Sequence, residues 1–165
     1  MKATYTFIIC ICLLALAVMP AQALTAKALT INVDSAGTAQ VNFQYELTFA
    51  ERAAIFFNIA NPAVQLENAL QSNLNKPVTV TRADSSSADV TIPSFATVSQ
   101  ANGTKTITTP AFSFINTQNQ IQQEWWAGVN AVNMAPGVTT ITFPDGYQSV
   151  YYNQISFPSV THQIG

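Results

Sequence analysis

The chain has 165 residues, of which 48% are hydrophobic and only 8% are charged. After position 23, five scattered cations stand against eight acids, too few to build the basic stripe that nucleic acid requires, so that partner class is excluded. Amides take the place of charge, with 13 Asn and 12 Gln in the same stretch, and a surface of such low net charge repels its own copies weakly.

Met1 and Lys2 precede an apolar run from Thr6 to Val18, and Pro20 and Ala21-Gln22-Ala23 follow. A basic start, an apolar core and a small-x-small site predict a secretory signal peptide over residues 1–23, followed by one globular domain over residues 24–165. A retained membrane anchor is the alternative, but a spanning helix takes about 20 apolar residues, more than this run offers. No second apolar segment follows, so no membrane span is expected after cleavage. Both cysteines, Cys10 and Cys12, fall in the signal. The rest of the chain therefore has no disulfide, no thiolate metal site and no cysteine nucleophile. The expected location is secreted or at the cell surface.

Leu29, Ile31 and Val33 alternate with polar residues, Asp34 to Thr38 turns the chain, and Val41, Phe43 and Tyr45 resume the alternation, which predicts a half-buried hairpin. Thr48 and Glu51 have capping-box spacing and predict a helix through residues 49–60. Asn61 and Pro62 open a second helix whose Ala63, Leu66, Leu70 and Leu74 form an apolar stripe, with Asn75-Lys76-Pro77 as its end. Strand signals return at Val78 and Val80, then at Val90 and Ile92 after the polar turn Asp84 to Asp89. Asn102-Gly103 marks a further hairpin. Asn102 also begins Asn102-Gly103-Thr104, a formal N-glycosylation acceptor, set against its reading as a plain turn. Thr117 and Gln120 form a second capping box, predicting a short third helix that carries Ile121 and Trp125 on one side. Trp126 lies about 100° further round, so one indole is expected in the core and the other at a rim, unless the two form a platform for a sugar. Near the end, Phe143-Pro144-Asp145-Gly146-Tyr147 predicts a three-residue turn with a bulge, pairing Phe143 with Tyr147 and putting Ile141 and Tyr151 on one face. A two-residue loop pairing Phe143 with Gln148 is the alternative.

Together these elements predict an α+β domain: an antiparallel sheet of about six or more strands, two consecutive helices packed on one face, and a third short helix.

Catalytic signatures are missing. His162 is the sole histidine, and there is no Gly-x-Ser-x-Gly elbow, no His-Glu-x-x-His helix and no phosphate-binding glycine loop. Asp84 to Asp89 lacks the glycine and terminal Glu of an EF-hand loop, so no metal or other cofactor is expected. A hydrolase built on Glu46, Glu51 or His162 is the weakest of three readings and requires those side chains to converge. The second is a glycan- or small-ligand-binding module that stacks ligand on Trp125, Trp126, Tyr151 or Tyr152. The first is an exported, non-enzymatic structural or interaction protein that associates with itself or with envelope components through uncharged strand edges.

The export signal, the cysteine-free remainder, Asn75-Lys76-Pro77-Val78-Thr79-Val80-Thr81 after the two-helix segment, Phe143 to Tyr147, and the terminal Pro158-Ser159-Val160-Thr161-His162 together resemble secreted proteins of methanogenic archaea. The resemblance spans most of the exported chain. It implies cell-surface or extracellular placement and carries over no activity and no functional residue.

Overall fold

The computed structural model describes residues 25–47, 63–64, 67–68, 70–71, 76–123 and 132–165. Within them are eleven strands: β1 (Thr25–Val33), β2 (Ala39–Glu46), β3 (Thr79–Ala83), β4 (Ser87–Ile92), β5 (Thr97–Ala101), β6 (Thr104–Thr108), β7 (Phe112–Ser113), β8 (Val138–Thr142), β9 (Gln148–Tyr152), β10 (Ser156–Phe157) and β11 (Thr161–Ile164). The helix α1 covers Ile115–Gln122.

The expected α+β layering is therefore corrected: the protein is mostly β-sheet, and no pair of packed helices lies on the sheet among the described residues. The first predicted helix, residues 49–60, lies outside them. Within the second, Ala63, Val64, Glu67, Asn68, Leu70 and Gln71 are helical, and Leu70 is buried in the core. The main sheet has the order β3-β4-β2-β1-β8-β9. It is mixed rather than antiparallel, because β8 runs parallel to β1, with Leu29 opposite Thr139 and Ile31 opposite Ile141. Sequence periodicity fixes which face of a strand is buried but is silent on its neighbour, so this long-range pairing could not be read from it.

The inner face follows from the alternation. Leu29, Ile31 and Val33 of β1, Ala39, Phe43 and Tyr45 of β2, Ala88, Val90 and Ile92 of β4, and Ile141 of β8 are all buried. A three-stranded sheet, β11-β6-β5, and the short pair β10-β7 complete the core with Ile107, Phe112, Phe114 and Phe157. Phe112 and Phe157 stack at 4.7 Å, and Phe114 lies 6.0 Å from Phe43 across the layers. Burying such rings contributes about 1.5–3 kcal/mol each.

Three hairpins form where the turn residues put them. Asn102 and Gly103 both have positive φ, 53° and 83°, as a two-residue turn of the primed type requires. In the last hairpin the Phe143 N–H donates to Tyr147 O at 2.9 Å, the Gly146 N–H to Phe143 O at 2.9 Å, and Gly146 has φ 88°. Thr142 pairs with Gln148 and Thr139 with Tyr151, so the three-residue alternative is the one adopted. The first hairpin repeats this geometry: the Asp34 N–H donates to Thr38 O, the Gly37 N–H to Asp34 O, and Gly37 has φ 85°. The Thr117–Gln120 capping box is corrected. α1 begins at Ile115, three residues before the start that a Thr117 cap implies, with the Ser113 hydroxyl accepting from the Ile115 N–H at 3.3 Å, and Thr117 is buried within the helix.

Candidate functional site

The outward side chains of the main sheet lie in registered rows. One row runs Thr91, Gln40, Asn32, Thr142, Gln148 across β4 to β9; the next runs Asp89, Asn42, Thr30, Thr140, Val150. A third runs Ser87, Gln44, Ala28, Val138, Tyr152. Across β2, β1, β8 and β9 the twelve outward positions of these rows carry no charge. The amides are partly ordered by neighbouring side chains: Asn42 donates to the Asp89 carboxylate at 2.7 Å, the Thr91 hydroxyl donates to Gln40 at 2.9 Å, and Gln44 donates to Asn42 at 3.3 Å.

The two edges of this sheet are built differently. At β3 the Glu67 carboxylate accepts from the Val80 N–H at 3.1 Å, and the Gln71 amide donates to Val78 O at 2.9 Å. The register also shifts between Val80 and Arg82. A strand edge whose backbone groups are occupied and whose pleat is bulged is a poor template for another strand. At the other edge, β9 has neither device among the described residues. Its five residues pair regularly with β8, none is charged, and Val150 and Tyr152 are 43% and 67% exposed.

The tip of the β8–β9 hairpin is fixed by aromatic and polar contacts. Tyr147 stacks on the His162 ring at 4.2 Å with 7° between planes, and His162 Nε2 lies 2.6 Å from Asp145 Oδ2. The hydrogen bond from His162 holds the Asp145 carboxyl below the usual carboxylate range, helped by the Tyr147 N–H. This cluster joins the main sheet to β11, and sequence reading missed it, although the sole histidine and a turn aspartate were both in view.

Of the predicted ligand-stacking residues, Trp125 and Trp126 lie outside the described residues. Tyr152 projects from the outer face. Tyr151 is instead half-buried on the inner face, edge-on to Phe157 at 5.7 Å. Asn102 sits at an exposed turn tip. Glu46 pairs with Lys27 at 2.9 Å, beside the first residue of β1, whereas Asp145 and His162 lie beyond the other end of that strand. Nine residues of strand separate those ends by roughly 25 Å, so Glu46 and His162 do not share a pocket. Glu51 lies outside the described residues.

The Tyr45 hydroxyl donates to Asp84 O at 2.6 Å, and burial, with the Asp84 charge second, pushes its pKa up to about 12. Asp84 is a turn residue. Its carboxylate accepts from the Ser86 and Ser87 N–H groups at 2.8 and 2.9 Å, which hold it well below the usual range. These contacts stabilise the β3–β4 turn and explain both shifts without catalysis. Among the described residues no group of three or more metal-ligating side chains occurs, and no helix is long and apolar enough to cross a membrane.

No family model matches the chain, and neither a curated protein nor a solved structure is similar to it.

Proposed function

We propose that the protein is an exported, non-enzymatic structural or interaction protein of the cell envelope or extracellular space, which associates with its own copies through the β9 edge. The observation that carries this reading is the contrast between a capped, bulged β3 edge and a regular, charge-free β9 edge. Antiparallel pairing of two copies about a two-fold centred on Val150 sets Val150 against Val150 and Gln148 against Tyr152, a self-complementary arrangement without like charges. The amide-rich composition adds no electrostatic barrier, and the leader-like segment and the resemblance to secreted archaeal proteins support placement outside the cell.

The test is the solution mass of the chain from Leu24 to Gly165 over a wide concentration range by light scattering, with electron microscopy of any large fraction. Mass rising with concentration in the native chain and not in Val150→Lys is expected. A monomer at every concentration ends this reading.

A second reading is favoured by Tyr152, which stands exposed beside the uncharged face: a glycan stacks on the ring while hydroxyls meet the neighbouring amides. Retention on a glycan panel that is lost in Tyr152→Ala supports it, and equal retention of both proteins removes it.

A further inference from the structure

A cleft of about 400 Å³ opens beside β7 and β10, lined among the described residues by Lys76, Phe95, Pro110, Phe112, Ser156 and Phe157, with Ala111 and Ser113 completing it. We propose that it binds a small amphiphilic monoanion, an alkyl carboxylate of medium length, with the carboxylate on Lys76 and the tail along Phe112. This site is separate from the β9 edge and does not depend on association.

Charge complementarity selects the head group. Lys76 is the one charged residue among the described lining residues. It is held in place by two carbonyls, donating to Ser94 O at 2.5 Å and Phe95 O at 3.1 Å. An ammonium has three N–H donors, so these bonds leave one for a ligand oxygen while fixing the nitrogen's position. The Ser156 hydroxyl, exposed on β10 and 2.8 Å from the Ser113 hydroxyl, supplies a second polar contact. A fixed cation with a hydroxyl nearby suits one carboxylate; a dianion would leave charge unpaired.

The apolar wall selects the body. Phe112 and Phe157 stack, and Phe95 meets Phe112 edge-on at 6.0 Å. Phe95, Phe112 and Ser113 also line a second, interior space: an apolar cavity of about 40 Å³ bounded by Leu29, Ile31, Val41, Leu70 and Met134 among others. The cleft and the cavity thus share a wall. Phe112 is half-buried, so its ring, held against Phe157 and Phe95, presents apolar surface to the cleft along which an alkyl tail lies. A ligand that is polar at both ends would gain nothing from that wall.

The test is calorimetric titration of the exported chain with hexanoate and octanoate, kept below their micelle concentrations, and with 1-hexanol. At about 0.8 kcal/mol for each buried methylene, octanoate is expected to bind roughly fifteenfold tighter than hexanoate, and hexanoate at least about tenfold tighter than hexanol. Lys76→Met should erase the preference for acid over alcohol while keeping the chain-length dependence. Ala111→Trp, which fills the cleft and leaves Lys76 in place, should abolish both, with circular dichroism confirming that each variant is folded. Equal affinity for acid and alcohol, undiminished octanoate binding by folded Ala111→Trp, or no binding of octanoate to the native chain overturns the proposal.

Discussion

The first and last hairpins of the main sheet use one turn and serve different ends. Each closes with a three-residue loop, matching backbone bonds, and a glycine at φ 85° or 88°. The β1–β2 hairpin is then paired on both sides, by β4 and β8, and its turn is locked by the Ala96 N–H, which donates to Gly37 O at 2.9 Å. Among the described residues the β8–β9 hairpin is paired on one side only, and a Cβ added at Gly146 would meet nothing within 4 Å. Turn chemistry specifies a hairpin; its neighbours decide whether it becomes scaffold or contact surface.

The widest separation is expected from the two glycines. At Gly37 an added Cβ would collide with the Ala96 carbonyl oxygen, on top of the left-handed backbone that costs an L-residue about 1–2 kcal/mol. Gly37→Ala should lose about 3 kcal/mol in urea unfolding. Gly146→Ala, with open space around it, should lose about 1 kcal/mol, because reduced freedom of the unfolded chain offsets part of the strain. Equal losses would mean that the Ala96 segment yields and does not lock the turn.

Next comes β8, the strand that joins the second hairpin to the first by pairing with β1. Thr139 is buried, and its hydroxyl has no hydrogen-bond partner among the described residues, where desolvation without compensation costs about 1–3 kcal/mol. Thr139→Val keeps the shape, removes the cost, and should raise stability by about 1 kcal/mol. A loss on thermal or urea unfolding would show that the hydroxyl is satisfied. Val150→Lys sharpens the contrast from the open side. Monomer stability should stay within about 0.5 kcal/mol, while association measured by light scattering falls at least about tenfold.

The smallest effect is in the pH profile. Because His162 lowers the Asp145 pKa in the folded state, that contact adds stability above the unfolded carboxylate's value, about 3.9. The contribution is lost as pH falls through the lower folded value. In Asp145→Asn the acid-side slope of stability should be shallower; an unchanged slope would leave the tip contact without energetic weight.

Local chemistry made the hairpins legible. Asn102-Gly103 and Pro144-Asp145-Gly146 specify left-handed backbone within a few residues, and the alternation of β1, β2 and β4 fixed the buried face. What stayed hidden depends on distant partners. The parallel seat of β8 beside β1 joins residues more than a hundred positions apart, and nothing around Thr139 announces it. For the same reason β9 could be foreseen as a strand but not as an outer edge, and the closure of β3 by Glu67 and Gln71 could not be foreseen at all. The Thr117–Gln120 spacing misplaced the helix start because a local capping pattern was outweighed by burial of Thr117 and Phe114. The cleft was invisible for a related reason: Lys76, Phe112 and Phe157 come from three separate stretches.

The parallel pairing of β1 with β8 also sets a clock. A hairpin can close within about 1–10 μs, so β1 and β2 can meet early, but β1 cannot receive its second neighbour until Val138 to Thr142 have left the ribosome. Contacts of such sequence separation slow folding toward milliseconds or longer. Throughout that interval the Leu29–Ile31 edge, later the centre of the sheet, stands open to any strand that reaches it first.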